Sequence, residues 1–128
     1  MMFQPKFYFC KKCGNLASML IDSKVVPVCC NEPMVELKAN TEDAAVEKHV
    51  PVIEVEGNIV TVTVGSTIHP STEEHHINFI YLLTDRGAQR KNPVVGEDPI
   101  ATFAIEDGEK VVAAYEYCNL HGLWKKEL

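Results

Sequence analysis

Four of the chain's five cysteines fall at positions 10, 13, 29 and 30, and the fifth stands alone at 118. That clustering constrains the fold more than anything else in the sequence. Cys10-Lys11-Lys12-Cys13-Gly14 is a knuckle in which two sulfurs can face one ion, because Gly14 tolerates a positive φ just past the second cysteine. Cys29-Cys30 is followed by Asn31-Glu32-Pro33. Adjacent residues point to opposite faces of a strand, so this pair can serve one centre only in a turn. A segment of roughly forty residues buries too little apolar surface to hold itself together and needs a staple. The expectation is a four-sulfur metal domain over residues 1–38, with Cys10, Cys13, Cys29 and Cys30 as ligands. Tetrahedral sulfur suits zinc or iron equally. A thioredoxin-type dithiol is the poorer reading, since it needs a βαβ context and leaves the second pair idle.

Composition sets the wider limits. The chain is 46% hydrophobic and 23% charged, with a formal net charge of −6, and this balance argues against nucleic acid as a partner. No apolar run reaches the roughly 20 residues that span a bilayer. The first fifteen residues lack the apolar stretch of a secretory signal, so the expected location is the cytoplasm. There, clustered cysteines indicate metal binding rather than disulfides.

Residues 16–28 alternate weakly and suggest two short strands; residues 39–46, small and acidic, read as a linker or a single helical turn. From there strand patterns dominate. Residues 51–56 and 59–64 alternate about a Glu56-Gly57-Asn58 turn, and residues 77–83 form an apolar run ending in Thr84-Asp85-Arg86-Gly87. Residues 100–105 and 111–117 flank Asp107-Gly108-Glu109, a hairpin signal. No helical period is evident. Five to seven short strands over residues 47–128 predict an all-β fold with a β-sandwich as the main domain.

At the far end, Cys118-Asn119-Leu120-His121-Gly122 follows a strand pattern and sets a thiolate and an imidazole three positions apart. His49, His69 and His75 all lie in loops or at strand ends, where ligands concentrate. His76, on the opposite side of an extended chain from His75, is left out. Any one of these histidines is most simply a surface or hydrogen-bonded residue; as a set with Cys118 they suggest a second metal site. Four imidazoles and a thiolate exceed the usual tetrahedral set of zinc and suit iron or copper. Five ligands leave one open position, with a thiolate able to push electron density toward it.

Residues 7–15 with Cys29-Cys30-Asn31-Glu32-Pro33-Met34 resemble the desulforedoxin-like domain. Glu47-Lys48-His49-Val50-Pro51, His69-Pro70 with His75, and residues 116–122 resemble the superoxide reductase domain. Nearly the whole chain thus resembles the desulfoferrodoxin family. The resemblance implies two irons per chain: a four-cysteine iron centre, in which zinc could substitute, and a catalytic iron in an immunoglobulin-like sandwich. It implies His49, His69, His75 and His121 as equatorial ligands and Cys118 as the axial one. It implies one-electron reduction of superoxide to hydrogen peroxide, a homodimer, and a rubredoxin-like electron donor. Lys48 is implied to draw in the anion and help protonate the product, and Glu47 to close onto the ferric ion. Without the resemblance, Glu47-Lys48 would be read as a solvated charge pair. His76 and Phe79 stand where aromatic residues are expected in the family, outside the ligand set. The competing readings are a non-catalytic two-centre electron-transfer protein and a zinc-stapled binding module.

Overall fold

A computed structural model describes residues 3–128 and divides the chain into two compact units, one running to Lys38 and the other spanning Ala39–Leu128. In the first unit, β1 (Phe7–Phe9) lies between β2 (Leu16–Ser18) and β5 (Val35–Glu36), both antiparallel to it. A second ladder pairs β3 (Val28–Cys29) with β4 (Glu32–Pro33). The two residues between them, Cys30 and Asn31, have φ of 54° and 63°. Two consecutive positive φ values mark a tight hairpin turn whose twist matches its strands. The apolar core is small: Tyr8, Cys10 and Met34, with Ala17, Met19 and Cys29 packed against them.

Residues 16–28 do not form the expected pair of strands. Only Leu16–Ser18 joins a ladder, and the next strand begins at Val28. Asp22 Oδ1 accepts the Lys24 N–H at 2.9 Å, and Lys24 sits at φ 71°. This turn takes the chain out of extension, and Leu20, Ile21, Val25 and Val26 are left exposed.

The second unit starts with a single helical turn, α1 (Val46–His49), and continues as seven strands. These are β6 (Pro51–Glu56), β7 (Ile59–Val64), β8 (Ile77–Thr84), β9 (Gly87–Lys91), β10 (Ile100–Ala104), β11 (Val111–Cys118) and β12 (Gly122–Glu127). They build two antiparallel sheets, β10-β7-β6 and β12-β11-β8-β9. The division places the first, second and fifth strands opposite the other four, an immunoglobulin-like arrangement with the fourth strand on the larger sheet. Alternate residues of both sheets meet in the core: Val60, Val62 and Val64; Ile77, Ile80 and Leu82; Ala101 and Phe103; Ala114 and Cys118.

The expected hairpin around Asp107-Gly108-Glu109 is not one. β10 pairs with β7, and β11 pairs with β8 and β12, so this connection arches from one sheet to the other. Each foot of the arch is tied to a different sheet. Ile105 N–H donates to Asn58 O at 2.8 Å and Asn58 Nδ2 to Asp107 Oδ1 at 2.6 Å, both at the β6–β7 turn. Asp85 N–H donates to Lys110 O at 2.9 Å and Lys110 N–H to Asp85 Oδ1 at 2.8 Å, at the β8–β9 turn.

Candidate metal centres

In the first unit the four cysteine sulfurs all lie within 4.8 Å of one another. Cys13 and Cys29 Sγ are 3.6 Å apart, and Cys29 and Cys30 Sγ 4.0 Å. A tetrahedron with metal–sulfur bonds of about 2.3 Å has edges of about 3.8 Å, so the sulfurs fit one ion with little movement. The backbone explains their convergence. Gly14 N–H donates to Cys10 O at 2.9 Å and Cys10 N–H to Asn15 O at 2.8 Å, which closes the first knuckle. The left-handed turn at Cys30 swings its sulfur toward that of Cys29, as a strand could not. The Cys13 amide faces Cys10 Sγ at 3.5 Å and pulls that thiol down to about 6. Hydrogen bonding among the remaining sulfurs, that of Cys13 foremost, pushes Cys30 up to about 12. One cation would relieve that crowding.

In the second unit the structure brings together all five residues expected at the other centre. His49 is the last residue of α1. Its Nδ1 lies 2.7 Å from Ala45 O, and a carbonyl only accepts, so Nδ1 carries the hydrogen and Nε2 presents a lone pair. His69, after β7, donates Nδ1–H to Pro70 O at 2.7 Å and turns Nε2 to 3.4 Å from Cys118 Sγ. His75 precedes β8 in a turn closed by Thr72. Its Nε2 is buried with no hydrogen-bond partner. His121 faces the cluster through Nδ1, which is 3.2 Å from His49 Nε2 and 4.0 Å from Cys118 Sγ.

The four imidazoles form a closed ring. Centroid distances are 4.8 Å from His49 to His69, 4.5 Å from His69 to His75, 5.2 Å from His75 to His121 and 4.9 Å from His121 to His49. The diagonal from His49 to His75 is 6.4 Å, close to that of a square with these sides. The tightest set of donor atoms, within 4.8 Å of one another, is His49, His75, Cys118 and His121. His69 lies outside that set, and its 3.4 Å approach to the sulfur and its place in the ring make it the fourth side of the square.

Neutral donors are what a cation needs. Burial holds His69 down at about 4 and also lowers His49 and His75, so their lone pairs are free at pH 7. Burial raises the Cys118 thiol, while the amides of Leu120 and His121 work against it. The orphaned Nε2 of His75, two carbonyl-anchored imidazoles and a buried sulfur on the same ring fit a bound transition metal. Such a donor set suits iron.

The surroundings fix this geometry. Trp124 stacks on His49 with ring centroids 5.0 Å apart and donates its indole N–H to His121 O at 2.9 Å. The β11–β12 hairpin closes at Cys118 and Gly122, with Gly122 at φ 79°. The Glu47 carbonyl accepts Thr67 N–H at 2.9 Å and Ser66 Oγ–H at 3.2 Å. Lys48 directly precedes His49 on α1, and its charge adds to the burial that lowers His49 and His75. His76 stays out of the cluster, with Nδ1 bonded to the carbonyls of Thr72 and Glu73. Phe79 stacks on Tyr117 at 6.0 Å.

Two residues near the centre escaped the sequence reading. The sequence alone assigns Asn119 no role beyond its place in the motif and reads Glu116 as a strand residue. Glu116 is fully buried, and among the described residues neither carboxylate oxygen has a hydrogen-bond partner. Its signal was present: one acid at a core position of an otherwise apolar strand.

An immunoglobulin-like sandwich carrying a four-imidazole, one-sulfur centre, in a chain that also holds a four-sulfur cluster, defines a two-centre non-haem metalloprotein. The family model for desulfoferrodoxin matches residues 41–127. The desulfoferrodoxin of Nitratidesulfovibrio vulgaris is 48% identical over 124 residues, 97% of this chain and 97% of that protein. The crystal structure of the superoxide reductase from Treponema pallidum aligns with a TM-score of 0.83 at 38% identity, covering 98% of this chain and 100% of that one. A one-iron superoxide reductase from Giardia intestinalis is 40% identical with a TM-score of 0.51, and covers 64% of this chain and 99% of that one. The chain belongs to the desulfoferrodoxin family.

Proposed function

We propose that this chain is a superoxide reductase, which takes superoxide, one electron and two protons to hydrogen peroxide. The observation that carries the reading is the ring of four inward-facing imidazoles with the Cys118 sulfur against it. We assign His49, His69, His75, Cys118 and His121 as ligands of one iron, and Cys10, Cys13, Cys29 and Cys30 as ligands of a second. Iron at the five-donor site supplies the electron in its ferrous form, and an external reductant restores it.

The residues of the chain do the rest. Burial keeps His49, His69 and His75 neutral, and the Ala45 and Pro70 carbonyls orient His49 and His69. The sulfur adds electron density from one side of the ring. Lys48 gives a local positive field in a chain of net charge −6, draws in the small anion and donates protons through water. Glu47, on the same helical turn, closes over the centre after turnover. The external reductant expected is a small electron carrier of the rubredoxin kind. We place the protein in the cytoplasm, where its five free cysteines stay reduced, and expect a homodimer from the family resemblance. The domain limits we adopt are 1–38, 39–46 and 47–128.

The test is metal content per chain with visible spectra before and after mild oxidation, followed by superoxide kinetics on the reduced protein. Two irons, a thiolate-to-iron band that appears only on oxidation, and one peroxide formed per superoxide consumed are expected. A second centre inert to superoxide would make the chain an electron carrier instead. Zinc alone, without colour in any redox state, would remove the redox reading.

A further inference from the structure

The loop that carries Cys118 and His121 and the loop that carries His75 are joined by one residue. Asn119 Oδ1 accepts the His76 N–H at 2.9 Å, and Asn119 Nδ2 donates to Glu74 O at 3.0 Å. Its backbone N–H donates to His76 O at 3.2 Å. Three bonds from one residue thus grip both peptide neighbours of His75. They begin where the regular ladder stops: the β8–β11 register shifts between Tyr117 and Cys118, and Cys118 faces Ile77. One step further, the Asn119 side chain takes over the role of a backbone partner.

His75 needs this more than His49 and His69 do. Those two are each oriented through Nδ1 by a carbonyl. Among the described residues the His75 ring has no such bond, and its buried Nε2 has no partner. Its aim is therefore set through the backbone, by the Thr72 turn on one side and by Asn119 on the other. The amide is chemically specific. One end accepts and the other donates, which an ionised carboxylate, an acceptor only, cannot do.

We propose that Asn119 is a positioning residue that locks His75 into register with Cys118 and His121, so that one ligand loop sets the geometry of the other. The inference rests on the iron centre proposed above. The test compares the two-iron protein with Asn119→Ala, Asn119→Asp and Asn40→Ala. Asn40 is a matched control in the same unit: its side chain bonds the Lys125 backbone at 3.1 and 2.8 Å, away from His75. Iron retention at the His/Cys centre is followed against a chelator, and the oxidised centre by its thiolate-to-iron band and electron paramagnetic resonance.

Asn119→Ala is expected to lose that iron about ten- to a hundredfold more readily, the range seen when partners of metal ligands are removed. Its resonance signal should change as His75 drifts. Asn119→Asp, which keeps the acceptor and loses the donor, should fall between. Asn40→Ala should match the parent in both readouts. Retention and spectra equal to the parent in both Asn119 variants would overturn the proposal. So would equal changes in Asn119→Ala and Asn40→Ala, which would mark general loosening. If Asn119→Ala does not fold, Asn119→Asp decides. A parent protein with no iron at this centre would sink the functional reading itself.

Discussion

A Cβ on Gly65 would fall 2.6 Å from the carbonyl oxygen of Glu47. It would also lie 2.8 Å from Lys48 C and 3.1 Å from His49 N. All three are backbone atoms, which cannot swing aside as the end of a side chain can. The bare glycine thus lets the turn holding Glu47, Lys48 and His49 seat against the end of β7, where Ser66 and Thr67 bond the Glu47 carbonyl.

Gly65→Ala is therefore expected to push α1 away from β7. Forced contacts of this kind cost about 1–3 kcal/mol, and the displacement moves a metal ligand and Lys48 together. Denaturant unfolding should show a lower midpoint, and iron retention at the His/Cys centre should fall. A variant with parental stability and iron content would mean that the turn adjusts freely.

In the function proposed above, Lys48 acts on charge rather than on shape. Lys48→Ile is expected to slow oxidation of the reduced protein by superoxide about tenfold or more at low ionic strength, the lower end of electrostatic steering effects. Lys48→Arg should preserve most of the rate. Added salt should slow the parent and leave the isoleucine variant nearly unaffected, since screening removes what the variant has already lost. Stopped-flow or pulse-radiolysis rates at two salt concentrations check this, and an unchanged rate at low salt would count against steering by Lys48.

Much of this was readable from the sequence because its signals are local. Alternation in residues 51–56 and 59–64 about Gly57 gave β6 and β7 within a residue. The four N-terminal cysteines, and the five donors spread from His49 to His121, converge in the structure. The β10–β11 connection misled because an Asp-Gly turn has the same local chemistry whether it reverses a strand within a sheet or carries it to the other sheet. What decides is pairing with Asn58 and Asp85, remote in sequence. The stretch from Leu20 to Val26 misleads because its apolar residues suggest strand, while the Asp22–Lys24 turn holds them out in solvent. Ring tautomers and the grip of Asn119 on Glu74 and His76 depend on carbonyls that the fold alone brings near.

The first unit depends on its sulfur cluster in a way the second does not. Among the described residues its buried apolar set is only Phe7, Tyr8, Cys10 and Met34, and Cys10 is one of the ligands proposed above. Removing the metal, or replacing Cys29 by Ser, is expected to unfold this unit, because metal binding and folding free energy are one quantity in so small a domain. The sandwich, with its own core of ten buried residues, should remain. Amide hydrogen exchange resolves the two: protection should vanish across β1, β2 and β5 and persist in β7, β8 and β11. Retained protection in β1 after metal removal would show that the small core suffices.

Glu116 is where the fold has kept something that stability alone would discard. It faces Ile80 on one neighbouring strand and Trp124 on the other, with both oxygens buried and unpartnered. Burial pushes its carboxyl up to about 9, so it is neutral at pH 7. A polar group buried without a hydrogen bond costs roughly 1–3 kcal/mol on the scale of protein substitutions. Glu116→Met, similar in length and apolar, should therefore raise the unfolding free energy by an amount in that range, read as a higher denaturant midpoint at an unchanged slope. Glu116→Gln, which keeps the polar burial, should leave the midpoint near the parent's. A lower midpoint for the methionine variant would mean that the carboxyl has a partner worth more than its burial costs. If the methionine variant is more stable and its oxidised thiolate-to-iron band also moves, the acid is held two residues before Cys118 for its effect on the sulfur. If the band stays where it was, the carboxyl contributes nothing to the centre, and only its burial cost separates the two proteins.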